Sequence, residues 1–362
     1  MYDSRPGAAS RAVDSISKSL DKQVAKKKLS GDDAHTIVGR LSVVTGVEGD
    51  FSALAGCGIV IEAIIEDLDV KQHIFTQLEN VVAIDCMLAT NTSSLSVTAI
   101  ARACKDASRI VGIHFFNPAT VLPLVEIVPG LATSDETRRN ARALIDSWGK
   151  TTVVASDTPG FIVNRIARPF YGEAIRIFEE RIADPATIDW AMRELGGFRM
   201  GPFELMDFIG HDINFATTSS VYEGTFFDPR YKPSVTQQRL VEAGLLGRKT
   251  GRGFYDYSEG ATKPEPVTDN ALGQQILTRI RAMLINEAAD AVAFGIGSAD
   301  DVDLAMTKGV NYPKGLLVWA DEIGLKKVLA TLEQLQSDYA EDRYRPSLFL
   351  KRMVREGRKF HQ

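Results

Sequence analysis

Between residues 57 and 155 the chain alternates apolar, β-branched runs with amphipathic stretches, and this alternation constrains its fold more than any other feature. The spacing predicts strands over 57–65, 81–90, 110–116 and 150–155, and helices over 69–78, 97–103 and 134–148. Strands this uniformly apolar are buried on both faces. A strand–helix alternation built from them predicts an α/β, doubly wound parallel sheet with helices packed against it. In such sheets ligands bind at the carboxyl ends of the strands.

The flanking segments have a different periodicity. Val13, Ile16, Leu20 and Val24 recur at helical spacing over 8–28, a stretch closing on Lys26, Lys27 and Lys28, and a second helix is predicted over 32–41. Beyond Asp157-Thr158-Pro159-Gly160 the chain becomes mainly helical, interrupted over 258–270 by a polar segment rich in turn residues. Residues 162–210 match a later stretch without a gap when moved forward by 114 positions. Arg165 then falls on Arg279, Glu173 on Glu287, Asp189 on Asp303, Gly201 on Gly315, Asp207 on Asp321 and Gly210 on Gly324. This register predicts a duplicated helical domain. The expected organisation is a nucleotide-binding domain over 1–156, one helical copy over 157–257, a linker over 258–270 and a second copy over 271–362. Arg165, Glu173 and Asp207 recur in both copies and are read as holding the helical fold. Asn164 becomes Thr278, so the second copy is read as structural, a built-in substitute for a dimer partner.

A net charge of −5 argues against nucleic acid as the main partner. No apolar run approaches the ~20 residues of a membrane span, and the polar start of the chain does not read as a secretory signal. Cys57, Cys86 and Cys104 show no metal or disulfide spacing and are read as reduced thiols of a cytoplasmic protein. No metal site is expected.

Of five histidines, His114 has the most strand-like surroundings, and the apolar segment 122–128 carries one carboxylate, Glu126. A histidine beside a carboxylate is a general base with a fixed tautomer; the alternative is a core histidine bonded to backbone. Three predicted strands end in polar groups: Glu66, then Asn91 with Ser93, then His114 with Asn117. Tyr2-Asp3 before a helix reads as the end of a strand whose acid holds the adenosine ribose.

The motifs VIEAIIEDLDVKQ, ATNTSSLSV, GIHFFNP followed by LVEIV, DTPGFIVNR, GPFELMDFIG and GRKTGRGFYDY stand in this order. On them the chain resembles the NAD-dependent L-3-hydroxyacyl-CoA dehydrogenases of the 3-hydroxybutyryl-CoA type, including two-copy bacterial forms proposed for aromatic-acid degradation. The resemblance implies a Rossmann-like domain followed by two related all-α domains. It implies oxidation of a (S)-3-hydroxyacyl-CoA to the 3-oxoacyl-CoA, with hydride passing to NAD. His114 would be the base and Glu126 its partner, with Ser93 and Asn164 hydrogen-bonding the reacting oxygen or the histidine. Asp3, Glu66, Lys71, Asn91, Asn117 and Lys249 would lie around NAD, Asp3 favouring it over NADP. Lys27 would meet the phosphates of the acyl-CoA thioester, the alternative being a solvated helix end. A homodimer through the helical domains is also implied.

The family pattern opens with a strand, a GxGxxG turn and a helix. This sequence starts where the second strand would end, so the first βα unit is read as missing. Loss of that turn leaves a second reading open: an acyl-CoA-binding or scaffold protein that no longer binds the cofactor.

Overall fold

The structure is a computed structural model that describes residues 1–44 and 49–361. It divides into two compact units, residues 1–60 with 76–86, and residues 61–75 with 87–362. In the first unit, helices α1 (Ala8–Ala25) and α2 (Gly31–Gly39) pack together. The Ser30 side chain caps α2 by accepting the Asp33 N–H. Helix α1 stops before the lysines, and Lys27 adopts a left-handed φ of 55° just past its end.

Among the described residues, five strands form one sheet in the order β1 (Ile59–Glu62), β2 (Met87–Thr90), β3 (Ile110–Phe115), β4 (Leu124–Pro129) and β5 (Thr151–Val154). Helices α3 (Leu68–Glu79), α4 (Val97–Ala101) and α5 (Asp135–Ser147) connect them. The sheet is Rossmann-like, with β2 and β3 parallel, but β4 runs antiparallel to β3 and pairs in parallel with β5. The apolar segment carrying Glu126 is therefore a central strand of this sheet. It follows β3 through a short connection, which permits an antiparallel pair where a parallel one needs a long crossover. The predicted strands over 57–65 and 81–90 are shorter in the structure. Ile84 is largely exposed and Val82 buried in the turn before β2, so that apolar run is not all strand.

The helical part begins with α6 (Val163–Ile166), α7 (Arg168–Glu179), α8 (Pro185–Trp190), α9 (Pro202–Ile209), α10 (His211–Gly224) and α11 (Val235–Glu242). It continues, after an irregular stretch, with α12 (Asn270–Ala293), α13 (Ala299–Gly309), α14 (Leu316–Ile323), α15 (Leu325–Tyr339) and α16 (Leu348–Glu356). Helix α12 packs along α7, while α13 lies against β4 and β5. There Gly309 sits so close to Leu124 that a Cβ would stand 2.6 Å from its side chain.

Residues 114 positions apart make reciprocal contacts. Arg165 Nε donates to Glu287 at 2.8 Å, and Arg279 Nε donates to Glu173 at 3.0 Å. Arg230 and Tyr231 also reach Glu287, as Arg343 and Tyr344, at a spacing of 113, reach Glu173. Asp189 accepts the N–H groups of Phe203 and Glu204 at the start of α9; Asp303 accepts those of Leu317 and Val318 at the start of α14. Gly201 and Gly315 are both needed there, since a Cβ would fall 2.3 and 2.4 Å from the two aspartates. Asp207 takes the N–H groups of Phe254 and Tyr255, and Asp321 takes those of Phe360 and His361. Tyr255 then reaches Asp189 at 2.8 Å, as His361 reaches Asp303 at 2.9 Å.

Glu173 is fully buried. Burial raises its pKa, but Arg343 and Arg279 outweigh that and hold the carboxyl below the ordinary range. Its contribution to stability is present above that range and fades as pH falls through the lowered value. Replacing Glu173 with alanine leaves the buried Arg343 guanidinium without its carboxylate, while Arg279 keeps Glu180, and is expected to cost about 3–5 kcal/mol in denaturant unfolding at pH 7. The difference from wild type should shrink in acid; an unchanged midpoint at pH 7 would contradict this account.

Candidate active site

Strands β3 and β4 set the site through their register. His114 and Glu126 stand directly opposite each other in the antiparallel pair, so their side chains emerge on one face. His114 Nδ1 lies 2.7 Å from Glu126 Oε2, with the histidine 5% and the glutamate 0% exposed. The other carboxylate oxygen, Oε1, accepts the N–H groups of Ile162 at 3.0 Å and Val163 at 2.9 Å. A buried carboxylate needs donors of this kind. They are aimed by the turn before α6, where Gly160 and Phe161 both have positive φ, 79° and 46°. A side chain at Gly160 would meet the Arg165 backbone N at 2.9 Å. The rings of Phe116 and Phe161 flank the imidazole at 4.6 and 5.7 Å. With Nδ1 turned to a carboxylate, the neutral ring carries its proton there, and Nε2 is the accepting nitrogen.

A second buried pair lies at the end of β1. Lys71, 1% exposed, places its Nζ 2.6 Å from Glu62 Oε1 and 3.3 Å from Glu66 Oε2. Glu62 also accepts the Thr90 hydroxyl from β2. Glu66 gathers the loop after β2, accepting the N–H groups of Ser93 and Ser94 and the hydroxyls of Thr92 and Ser94. Half-burial raises the Glu66 pKa, but Thr92, Ser93 and Lys71 more than offset this and hold it below the usual range. The Ser93 side chain is left exposed. Asn91 accepts the Phe115 N–H at 2.9 Å and ties β2 to β3.

The residues singled out in the sequence thus fall into groups. His114 and Glu126 are in contact, and Asn164 follows directly on the two N–H groups that hold Glu126. Glu66, Lys71 and Ser93 form one connected network. Asn117 is exposed two residues past β3. Lys71 is not a surface lysine: its ammonium is engaged by Glu62 and Glu66 inside the protein. Lys249 pairs with Asp212 at the start of α10, both side chains partly exposed. Asp3 and Lys27 belong to the first unit. There Asp3 accepts from the backbone and side chain of Arg5, which lower its pKa, and Lys27 is exposed. Two contributors were not singled out by the sequence. Glu62 was readable as an acid inside an apolar strand with a lysine nine residues on. Asp157, which accepts the N–H groups of Val97 and Thr98 at the start of α4, gave no signal beyond its place before Pro159-Gly160.

Comparison with known proteins places these features in a family. The model of the 3-hydroxyacyl-CoA dehydrogenase NAD binding domain matches residues 1–158. That of the 3-hydroxyacyl-CoA dehydrogenase C-terminal domain matches residues 160–257 and again 276–361. The chain is 38% identical to the 3-hydroxyadipyl-CoA dehydrogenase of Escherichia coli (strain K12), over 97% of this chain and 91% of that protein. It is 37% identical to the mitochondrial hydroxyacyl-coenzyme A dehydrogenase of Homo sapiens, over 71% and 82%. Among solved structures, the 3-hydroxybutyryl-CoA dehydrogenase of Escherichia coli K12 superposes with a TM-score of 0.91 at 36% identity, covering 98% of this chain and 92% of that one. The (S)-3-hydroxybutyryl-CoA dehydrogenase of Ralstonia eutropha gives 0.68 at 38% identity, covering 72% and 90%. The chain therefore belongs to the 3-hydroxyacyl-CoA dehydrogenase family, NAD-dependent enzymes in which a Rossmann-like domain precedes a helical C-terminal domain.

Proposed function

We propose that His114 removes the hydroxyl proton of a (S)-3-hydroxyacyl-CoA, yielding the 3-oxoacyl-CoA. The observation that carries this is the Glu126 carboxylate, which holds Nδ1 of His114 with one oxygen and two backbone N–H groups with the other. Nε2 accepts the proton, and the buried carboxylate stabilises the imidazolium that results. Ser93 and Asn164 donate hydrogen bonds to the reacting oxygen. When bound, NAD supplies the hydride acceptor, which no side chain can provide.

The residues present fit the reactive half of that cofactor. Uncharged donors and acceptors, Ser93, Asn91 and Asn117, stand at the carboxyl ends of β2 and β3, where a nicotinamide and its ribose would be held. Glu66 orders the loop bearing Ser93, and Lys71 works through Glu66. Asp3 is the candidate for the adenosine ribose, Lys249 for the cofactor side of the helical region and Lys27 for the thioester's phosphates. GxGxxG does not occur in the sequence, so no residue is assigned to the pyrophosphate.

The domain limits fit the same reading: nucleotide domain 1–156, helical copies 157–257 and 271–362, linker 258–270. The paired contacts at a spacing of 114 and the two matches to one C-terminal model support a duplication. On this reading the second copy makes the contact that a partner subunit would otherwise supply.

With acetoacetyl-CoA and NADH, His114→Ala and Glu126→Gln are each expected to lower kcat by roughly 10²–10⁴-fold, measured by NADH absorbance. Wild-type turnover in either would overturn the assignment. Lys71→Met is expected to raise the KM for NADH more than it lowers kcat, through a displaced Glu66 and Ser93 loop. Unchanged kinetics in a folded Lys71→Met protein would remove Lys71 from the site.

A further inference from the structure

The helical region buries five arginines at or below 8% exposure, Arg165, Arg168, Arg230, Arg279 and Arg343, and four of them are matched to carboxylates. Arg168 is the exception. It is 6% exposed, and its partners are neutral: the Asn164 carbonyl at 2.7 Å, the Thr218 hydroxyl at 3.0 Å and, at 3.5 Å, the Asn214 carbonyl. These engage Nε and Nη1; Nη2 has no acceptor among the described residues. The charged or ionisable groups that act on it are two phenols, Tyr171 and Tyr312. The Tyr171 ring stacks with the guanidinium at 5.0 Å, and the buried Tyr312 hydroxyl has no hydrogen-bond partner among the described residues. A buried guanidinium without a counter-charge is costly, several kcal/mol in a protein interior, unless an anion joins it.

Its position says which anion. Arg168 opens α7 four residues after Asn164 in α6, and its Nε donates to the Asn164 carbonyl at 2.7 Å, so the two residues are neighbours. Asn164 is the residue proposed at the reacting oxygen. With the carbinol at Asn164, a substrate group near Nη2 would belong to the acyl chain beyond the carbinol. The second helical copy has Thr278 in place of Asn164 and Ala282 in place of Arg168. The copy without the substrate amide also lacks the unmatched cation, whereas the arginines that hold the fold are kept in both.

We infer that Arg168 is a specificity-determining residue that binds a carboxylate at the far end of the acyl chain. The preferred substrates are then 3-hydroxy-dicarboxylyl thioesters of about six carbons. Arg168 offers its free edge, and Tyr312 an O–H, to that carboxylate. This rests on the reading of the site as one for a hydroxyacyl-CoA.

The test is calorimetric binding of adipyl-CoA and hexanoyl-CoA, six-carbon esters that differ in the distal carboxylate and need no cofactor for the measurement. The wild-type chain is expected to bind adipyl-CoA at least ~10-fold more tightly. Arg168→Met should erase that preference by weakening adipyl-CoA about 10–100-fold while leaving hexanoyl-CoA within about 2-fold. Arg168→Lys, which keeps the charge but not the fork, should fall between. Equal affinities in wild type would overturn the inference whatever the variants do, as would equal losses for both esters in a folded variant. The acetoacetyl-CoA assay judges the dehydrogenase reading separately, because that substrate has no distal carboxylate.

Discussion

The site depends on one buried carboxylate. Glu126 lies in the centre of the sheet with no exposure to water, where an ionised group survives only if its oxygens are met by donors. One oxygen meets His114 across the β3–β4 register and the other meets two backbone N–H groups at the start of the helical part. The residue therefore fixes the His114 ring and also the backbone at the start of α6. Asn164 follows directly on those N–H groups, so holding Glu126 also positions Asn164. Removing the carboxylate would loosen sheet, base and helix together.

The helical part uses buried charge differently. Arg165, Arg230, Arg279 and Arg343 are cross-paired with Glu173 and Glu287 so that each half supplies what the other needs. Such pairs contribute less to net stability than their number suggests, because desolvation offsets most of the attraction. Their effect is to fix one mutual arrangement of α7 and α12, since any other leaves charges unmatched. Helix α13, packed on β4 and β5, extends that arrangement to the strand that carries Glu126. Against this background of matched charge, Arg168 stands out by its neutral surroundings.

Much of this was legible in the sequence. The strand–helix alternation gave the sheet, the 114-residue register gave the recurring arginine, glutamate and aspartate pairs, and His114 and Glu126 were readable as a pair. The antiparallel placement of β4 was not, because an apolar run says nothing of its direction. The burial of Lys71 was hidden because its partner Glu62 is an acid within a strand, which reads equally as a satisfied core group. The anchoring of Phe360 and His361 on Asp321 and Asp303 escaped the gap-free register: they match Phe254 and Tyr255 at a spacing of 106 rather than 114. The neutral surroundings of Arg168 were not legible either, since burial without a counter-charge is a property of packing.

The central claim is that Glu126 keeps the His114 proton on Nδ1 and leaves Nε2 to accept. Nitrogen-15 NMR of the histidine-labelled protein, at a pH where the ring is neutral, reads this directly. The account predicts a protonated Nδ1 and an unprotonated Nε2 for His114, with that preference lost in Glu126→Ala. A His114 ring protonated on Nε2 in the wild-type protein would contradict it.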